Sequence, residues 1–150
     1  MSNLRIKKKI WILSKCIILA ICFLYITIYH ATDLKNYART YYIITYFSLY
    51  RLFAVPFAIY NGTSLLVITL LRKKCFHNNF TTYAKYSLII FIFVYAITAF
   101  LSFLNLMIEL PMASYIAPIV YQIASEHLFF ILLGVLDGYL FHAVECRKNN

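Results

Sequence analysis

The chain has 150 residues, 63% of them hydrophobic and only 13% charged, and carries a formal net charge of +9. Soluble domains are about half apolar and about a quarter charged, so this composition excludes a water-soluble globular fold. Four apolar segments occupy about 90 residues at the ~20 that a helix needs to cross a bilayer, which leaves no room among them for a catalytic domain or a receptor ectodomain.

Taken in chain order, the apolar segments run over residues 10–29, 49–71, 86–107 and 117–143, separated by polar stretches at 30–40, 72–85 and 109–114. The first follows a basic start, as a signal peptide would. It is nevertheless read as a retained membrane helix: it is longer than a typical h-region, contains Lys15, and ends in Tyr29-His30 with no small-residue cleavage pair. Between the first and second segments, Ala31 to Thr40 is the longest polar loop on its side and leads into Tyr41-Tyr42-Ile-Ile-Thr-Tyr46, which is aromatic enough for the interface. Pro56 sits within the second segment, where a kink is expected. Glu109-Leu-Pro-Met-Ala-Ser114 is short, so the third and fourth helices are expected to be antiparallel neighbours, with Pro111 helping to stop the third. The expected fold class is all-α: an antiparallel, membrane-spanning four-helix bundle forming a single domain.

The positions of the charges orient the bundle. Arg5, Lys7, Lys8 and Lys9 precede the first segment; Arg72, Lys73, Lys74 and Lys85 lie between the second and third; Arg147 and Lys148 follow the fourth. The opposite side has only Lys35 and Arg39, and Lys15 and Arg51 fall inside segments. Positive-inside bias therefore places both termini and the central loop in the cytoplasm. Lys7, Lys8, Lys9, Arg72, Lys73 and Lys74 are suited to anionic lipid headgroups. Topology and lipid contact account for the charge, and no nucleic-acid partner is expected. The membrane itself, plasma membrane or endoplasmic reticulum, is left open by these features.

Charges inside the segments are the most informative polar residues, because each is costly in hydrocarbon unless paired or reaching water. With a rise of 1.5 Å per residue, Arg51 lies ~31 Å and Glu126 ~28 Å from the cytoplasmic boundaries of their helices, while Lys15 and Asp137 lie at ~9 Å and ~12 Å. Depth thus sorts them into two expected interhelical ion pairs, Arg51 with Glu126 and Lys15 with Asp137. The competing reading is a proton or ion path through Glu126, His127 and Asp137. Against it, Glu126 and Asp137 are ~16 Å apart along a helix, with the apolar run Leu128-Phe-Phe-Ile-Leu-Leu133 between them. Gly134-Val-Leu-Asp-Gly138 is a small-xxx-small pattern, so Gly134 and Gly138 are expected to allow close helix approach.

Neither His127 nor His142 has a His or Cys partner at metal-ligand spacing, and no nucleophile stands beside a base, so no metal, cofactor or enzymatic activity is expected. Cys16, Cys22, Cys75 and Cys146 form no CxxC, and none falls in an exoplasmic loop. The terminal Arg147-Lys148-Asn149-Asn150 has the form of a dibasic retrieval signal and equally that of an ordinary positive-inside flank.

Lys9-Ile-Trp-Ile-Leu13 entering the first segment, the basic Arg72-Lys73-Lys74 loop and Gly134-Val-Leu-Asp137 in the last resemble the MARVEL-like four-span proteins, in particular the insect snakeskin type. The resemblance implies a non-enzymatic protein of membrane apposition, vesicle membranes or occluding junctions. The first exoplasmic segment departs from the snakeskin type in lacking a Gly-rich, Tyr-Gly-containing loop. The expected function is that of a scaffold or accessory subunit, packed against further copies of itself or a larger membrane protein. The alternative is a small transporter or channel subunit that titrates Glu126 and Asp137.

The orientation has a direct check. Asn79-Phe-Thr81 is a glycosylation sequon in the expected cytoplasmic loop. Translated into microsomes, the chain should stay unmodified at Asn79; a glycan there, seen as an endoglycosidase-sensitive mobility shift, reverses the topology.

Overall fold

Only three glycines and three prolines interrupt the chain, and they largely decide where its helices start, change pitch and touch. The computed structural model describes residues 2–31, 41–71, 81–108 and 111–149, with side chains described over 9–30, 45–71, 84–106, 108 and 115–141. Free of glycine and proline, α1 runs unbroken over Ser2–Ala31. The second segment starts at α2 (Tyr41–Leu49), passes through a π-helical turn (Tyr50–Ala54) and continues as α3 (Val55–Leu70). Then come α4 (Thr81–Ile108), α5 (Pro111–Ser125) and α6 (His127–Asn149). Three of the described helices or helix runs are long and apolar enough to cross a membrane: Lys9–His30, Thr45–Leu70 and Ala84–Leu106. The bent pair Tyr115–Ser125 and His127–Phe141 makes a fourth if counted as one span.

The π turn follows from Pro56. A proline inside a helix has no N–H for the carbonyl four residues back, and its ring crowds that oxygen. Here that carbonyl belongs to Leu52. The Val55 N–H reaches back to the Tyr50 carbonyl, five residues away, so the turn widens ahead of the proline. The Leu52 oxygen instead accepts from the Tyr95 hydroxyl of α4 at 2.8 Å. The expected kink is thus a local change of pitch, with its orphaned acceptor served by a neighbouring helix.

The fourth apolar segment differs from expectation. In place of one helix over 117–143, α5 and α6 meet at Glu126 with a bend of 71°. The Glu126 N–H closes a tight bond to the Ile123 carbonyl at 3.1 Å, and the Phe129 N–H starts the next helix on the Glu126 carbonyl at 3.0 Å. The Ser125 hydroxyl donates back to the Tyr121 carbonyl at 2.7 Å. Short backbone bonds thus replace the regular ladder at the break, and the Ser125 back-bond, of a kind that bends helices, lies immediately before it. Pro118 is accommodated within α5, away from the break.

Packing centres on α3 against α6, the most extensive contact between elements; α1 flanks α3, and α4 covers α5 and part of α6. Residues 60–63 of α3 lie opposite Gly134, and 64–67 opposite Gly138, so these two helices run parallel. This agrees with the alternating order expected for the bundle, in which segments adjacent in sequence are antiparallel. Second and fourth segments of an alternating chain point the same way, and here they are the ones in closest contact. Helix α1 runs antiparallel to α6, with Trp11 stacked on Phe141 and Lys15 beside Asp137. The core joins Leu52, Tyr60, Tyr95, Ala99, Val120, Ala124 and Phe130. Much of the outer surface is apolar, including Ile10, Leu13, Ile17, Ile21 and Leu24 of α1 and Ile89, Ile90, Phe93 and Ile97 of α4.

Both glycines of α6 are required by this approach. A Cβ at Gly134 would collide with Thr63 Oγ1 and lie 2.6 Å from the Tyr60 carbonyl oxygen; one at Gly138 would lie 2.7 Å from the Ser64 carbonyl oxygen. At Gly62 the nearest atom is Leu19 Cδ1 at 3.8 Å, an ordinary contact. Gly134→Ala and Gly138→Ala should each destabilise the fold by about 1–3 kcal/mol, the usual range for forced overpacking. Gly62→Ala should be close to neutral, and thermal unfolding of the three variants in detergent distinguishes them.

Candidate functional site

The close approach of α6 to α3 carries Asp137 into the interior beside Ser64, and α1 supplies the cation. Lys15 Nζ donates to Asp137 Oδ2 at 2.7 Å, and the two side chains are only 7% and 10% exposed. The Ser64 hydroxyl donates to the same oxygen at 2.6 Å, and Lys15 also reaches Asn61 Oδ1 at 3.4 Å. Asn61 in turn donates through Nδ2 to the Phe57 carbonyl at 2.7 Å. The rings of Tyr60 and Trp11 flank the ammonium, at 4.2 and 4.5 Å from their centroids. Among the described residues no buried side-chain nitrogen or oxygen lacks a hydrogen-bond partner. The cluster therefore ties α1, α3 and α6 together with its polar groups satisfied, the condition under which a buried ion pair is tolerated. Towards the ends of these helices the Trp11 and Phe141 rings stack at 3.8 Å, and Lys85 of α4 lies 5.6 Å from the Phe141 centroid.

A second polar cluster lies where the π turn meets the α5–α6 break. Arg51 donates to Ser125 Oγ from Nε at 3.1 Å and from Nη2 at 2.5 Å, and its guanidinium lies 5.9 Å from the Phe47 ring centroid. The Tyr121 hydroxyl donates to Ser48 Oγ at 2.6 Å, a second link between α5 and the helix that leads into the π turn. Nearby, Tyr50 stacks on Tyr29 at 4.4 Å and hydrogen-bonds the His30 ring at 3.3 Å. Arg51 and Glu126 do not form the expected ion pair. The depth count assumed one continuous helix through Glu126, whereas the helix breaks there and Arg51 meets the preceding residue, Ser125. Arg51, Glu126 and His127 are all exposed.

The clusters are separated by apolar packing. Tyr95 meets Phe130 edge-on at 5.1 Å and Phe57 at 6.2 Å between ring centroids. The crevice there, lined by Phe57, Phe91, Tyr95, Phe130 and Leu133 among others, has a volume of about 10 Å³, no more than one water would fill. Among the described residues no three His, Cys, Asp or Glu side chains gather as a metal site would require. Cys16 is exposed and Cys22 buried, and both are free thiols.

Of the residues considered for lipid headgroup contact, Lys9 is exposed. Arg72, Lys73 and Lys74 lie outside the described residues, as do the side chains of Lys7 and Lys8. Sequence reasoning passed over Asn61, Ser64 and Ser125, which partner the intramembrane charges. A signal for the first two was present: they are three residues apart, hence neighbours on one helix face, in an otherwise apolar segment. No protein-family model, curated protein or solved structure matches this chain.

Removing either member of the inner pair strands the other charge. Lys15→Met and Asp137→Leu should each cost about 3–5 kcal/mol, and the double variant should lose less than the sum. Unfolding in detergent, followed by the emission of Trp11, the chain's single tryptophan, reads this directly; strictly additive losses count against the pair.

Proposed function

We propose that this chain is a multi-pass integral membrane protein without catalytic activity, with both termini in the cytoplasm. It acts as a scaffold or accessory subunit by lateral packing in a junction or trafficking membrane. The observation that carries the reading is the closed inner cluster: Lys15 and Asp137 meet each other, Ser64 and Asn61 among buried side chains, holding three helices in place. A charge pair so enclosed serves architecture. The apolar layer around Tyr95 and Phe130 separates it from Glu126, where a carrier needs a polar route through its middle. The wide apolar surface of α1 and α4 suits lipid or the helices of a partner, and the resemblance to MARVEL-like proteins points the same way.

One observation favours the transport alternative. Two of the apolar segments are interrupted, at the π turn and at Glu126, and the interruptions touch; carriers build sites from such discontinuous helices. Reconstituted vesicles separate the two. Scaffolding predicts no proton or ion flux above that of empty vesicles, and co-purification of a membrane partner in mild detergent. Flux that disappears in Glu126→Gln while Trp11 emission stays native would establish transport instead.

A further inference from the structure

We propose that the outer polar cluster is a self-association surface, at which Arg51 of each copy pairs with Glu126 of a second copy of this chain. The inference rests on the membrane reading above and names the partner. Both charges are exposed, and among the described residues neither has an ionic partner. They occupy one level, because Arg51 is hydrogen-bonded to Ser125, the residue before Glu126. That common level is what a pair of identical membrane proteins requires. Two copies inserted with the same topology are related by a two-fold axis along the membrane normal, which preserves depth, and an isologous contact presents the same patch twice. A cation and an anion adjacent on one patch at one depth then face their opposites, giving two reciprocal ion pairs.

The surroundings fit such a contact. Phe47 beside Arg51 and Leu128 after Glu126 are large, exposed and apolar, at 41% and 72% accessibility, so the charges sit among side chains able to pack. Arg51 is steadied by its Ser125 bond and by the Phe47 ring. Fixed in this way, it is directed by the fold before a partner arrives. Glu126 is held at a helix break by backbone bonds on either side, which restricts where its carboxylate can go.

Reciprocal pairing makes a specific demand on charge-reversal variants. Two copies of Arg51→Glu place acid against acid, and two copies of Glu126→Arg place base against base. Mixed together they restore both opposite-charge contacts. With donor- and acceptor-labelled full-length chains in phosphatidylcholine vesicles, energy transfer should show wild-type self-association, at least about tenfold weaker in each single variant and within about twofold of wild type in the mixture. A monomeric wild type, singles that associate as well as wild type, or a mixture as weak as the singles would overturn the proposal. An intrachain Arg51–Glu126 pair predicts no recovery on mixing. The neutral double variant Arg51→Gln with Glu126→Gln, with native Trp11 emission as its check on folding, should also associate more weakly than wild type; unchanged association overturns the proposal. Alkaline extraction separates this from the parent reading. A chain that stays in the membrane but is monomeric removes only the dimer, whereas a chain released by alkali removes the membrane assignment as well.

Discussion

The approach of α6 to α3 is the constraint on which the rest of the structure depends. Two backbones come close enough that a methyl group at Gly134 or Gly138 would collide with Thr63 or with a main-chain oxygen. Apolar surroundings give helices little solvent-driven reason to associate in a bilayer, so contact of this kind relies on van der Waals packing and interhelical hydrogen bonds. The glycines supply the first and admit the second: with α6 drawn in, Asp137 reaches Ser64, and α1 can bring Lys15 to both. A larger residue at either glycine would separate the partners of the ion pair as well as the helices.

The same logic of satisfying polar groups explains the two irregularities. Pro56 deprives the Leu52 carbonyl of its donor, and Tyr95 provides one from across the bundle. At Glu126, short backbone bonds take up groups released by the break, and the Ser125 hydroxyl bonds the Tyr121 carbonyl in the turn before it. Buried main-chain atoms without partners are costly in any apolar medium. Each interruption is therefore tied to a neighbouring element, and the two are tied to each other through Arg51 and Ser125.

The two polar clusters consequently differ in kind. The inner one is enclosed, with its acid and base bonded to each other and to neutral side chains. The outer one holds a cation whose hydrogen bonds, among the described residues, go to a hydroxyl, with an exposed carboxylate one residue further on. Enclosure makes the first a matter of assembly within the chain, and exposure makes the second available to something outside it. This contrast supports reading the protein as a packing element that carries an outward-facing polar cluster beside exposed apolar side chains.

Much of this was legible from residue order. Long apolar runs, the first and third free of glycine and proline, must become helices, the basic clusters separate one end of those helices from the other, and similar depth matched Lys15 to Asp137 because rise per residue is constant along an unbroken helix. Gly134 and Gly138, four residues apart, marked the contact face for the same reason. Shared level did not become pairing for Arg51 and Glu126, because a hydropathy run does not show where a helix bends, and at the break Arg51 meets Ser125 instead of the carboxylate. Nor does a linear pattern say which helices touch. That the parallel second and fourth segments form the central pair, that Asn61 and Ser64 complete the ion pair, and that Tyr95 answers Pro56 are outcomes of packing between segments distant in sequence. Periodicity and composition act locally and so determined the helices and the charges within them; only the tertiary structure decided their neighbours, because that choice depends on shape fitting between whole faces.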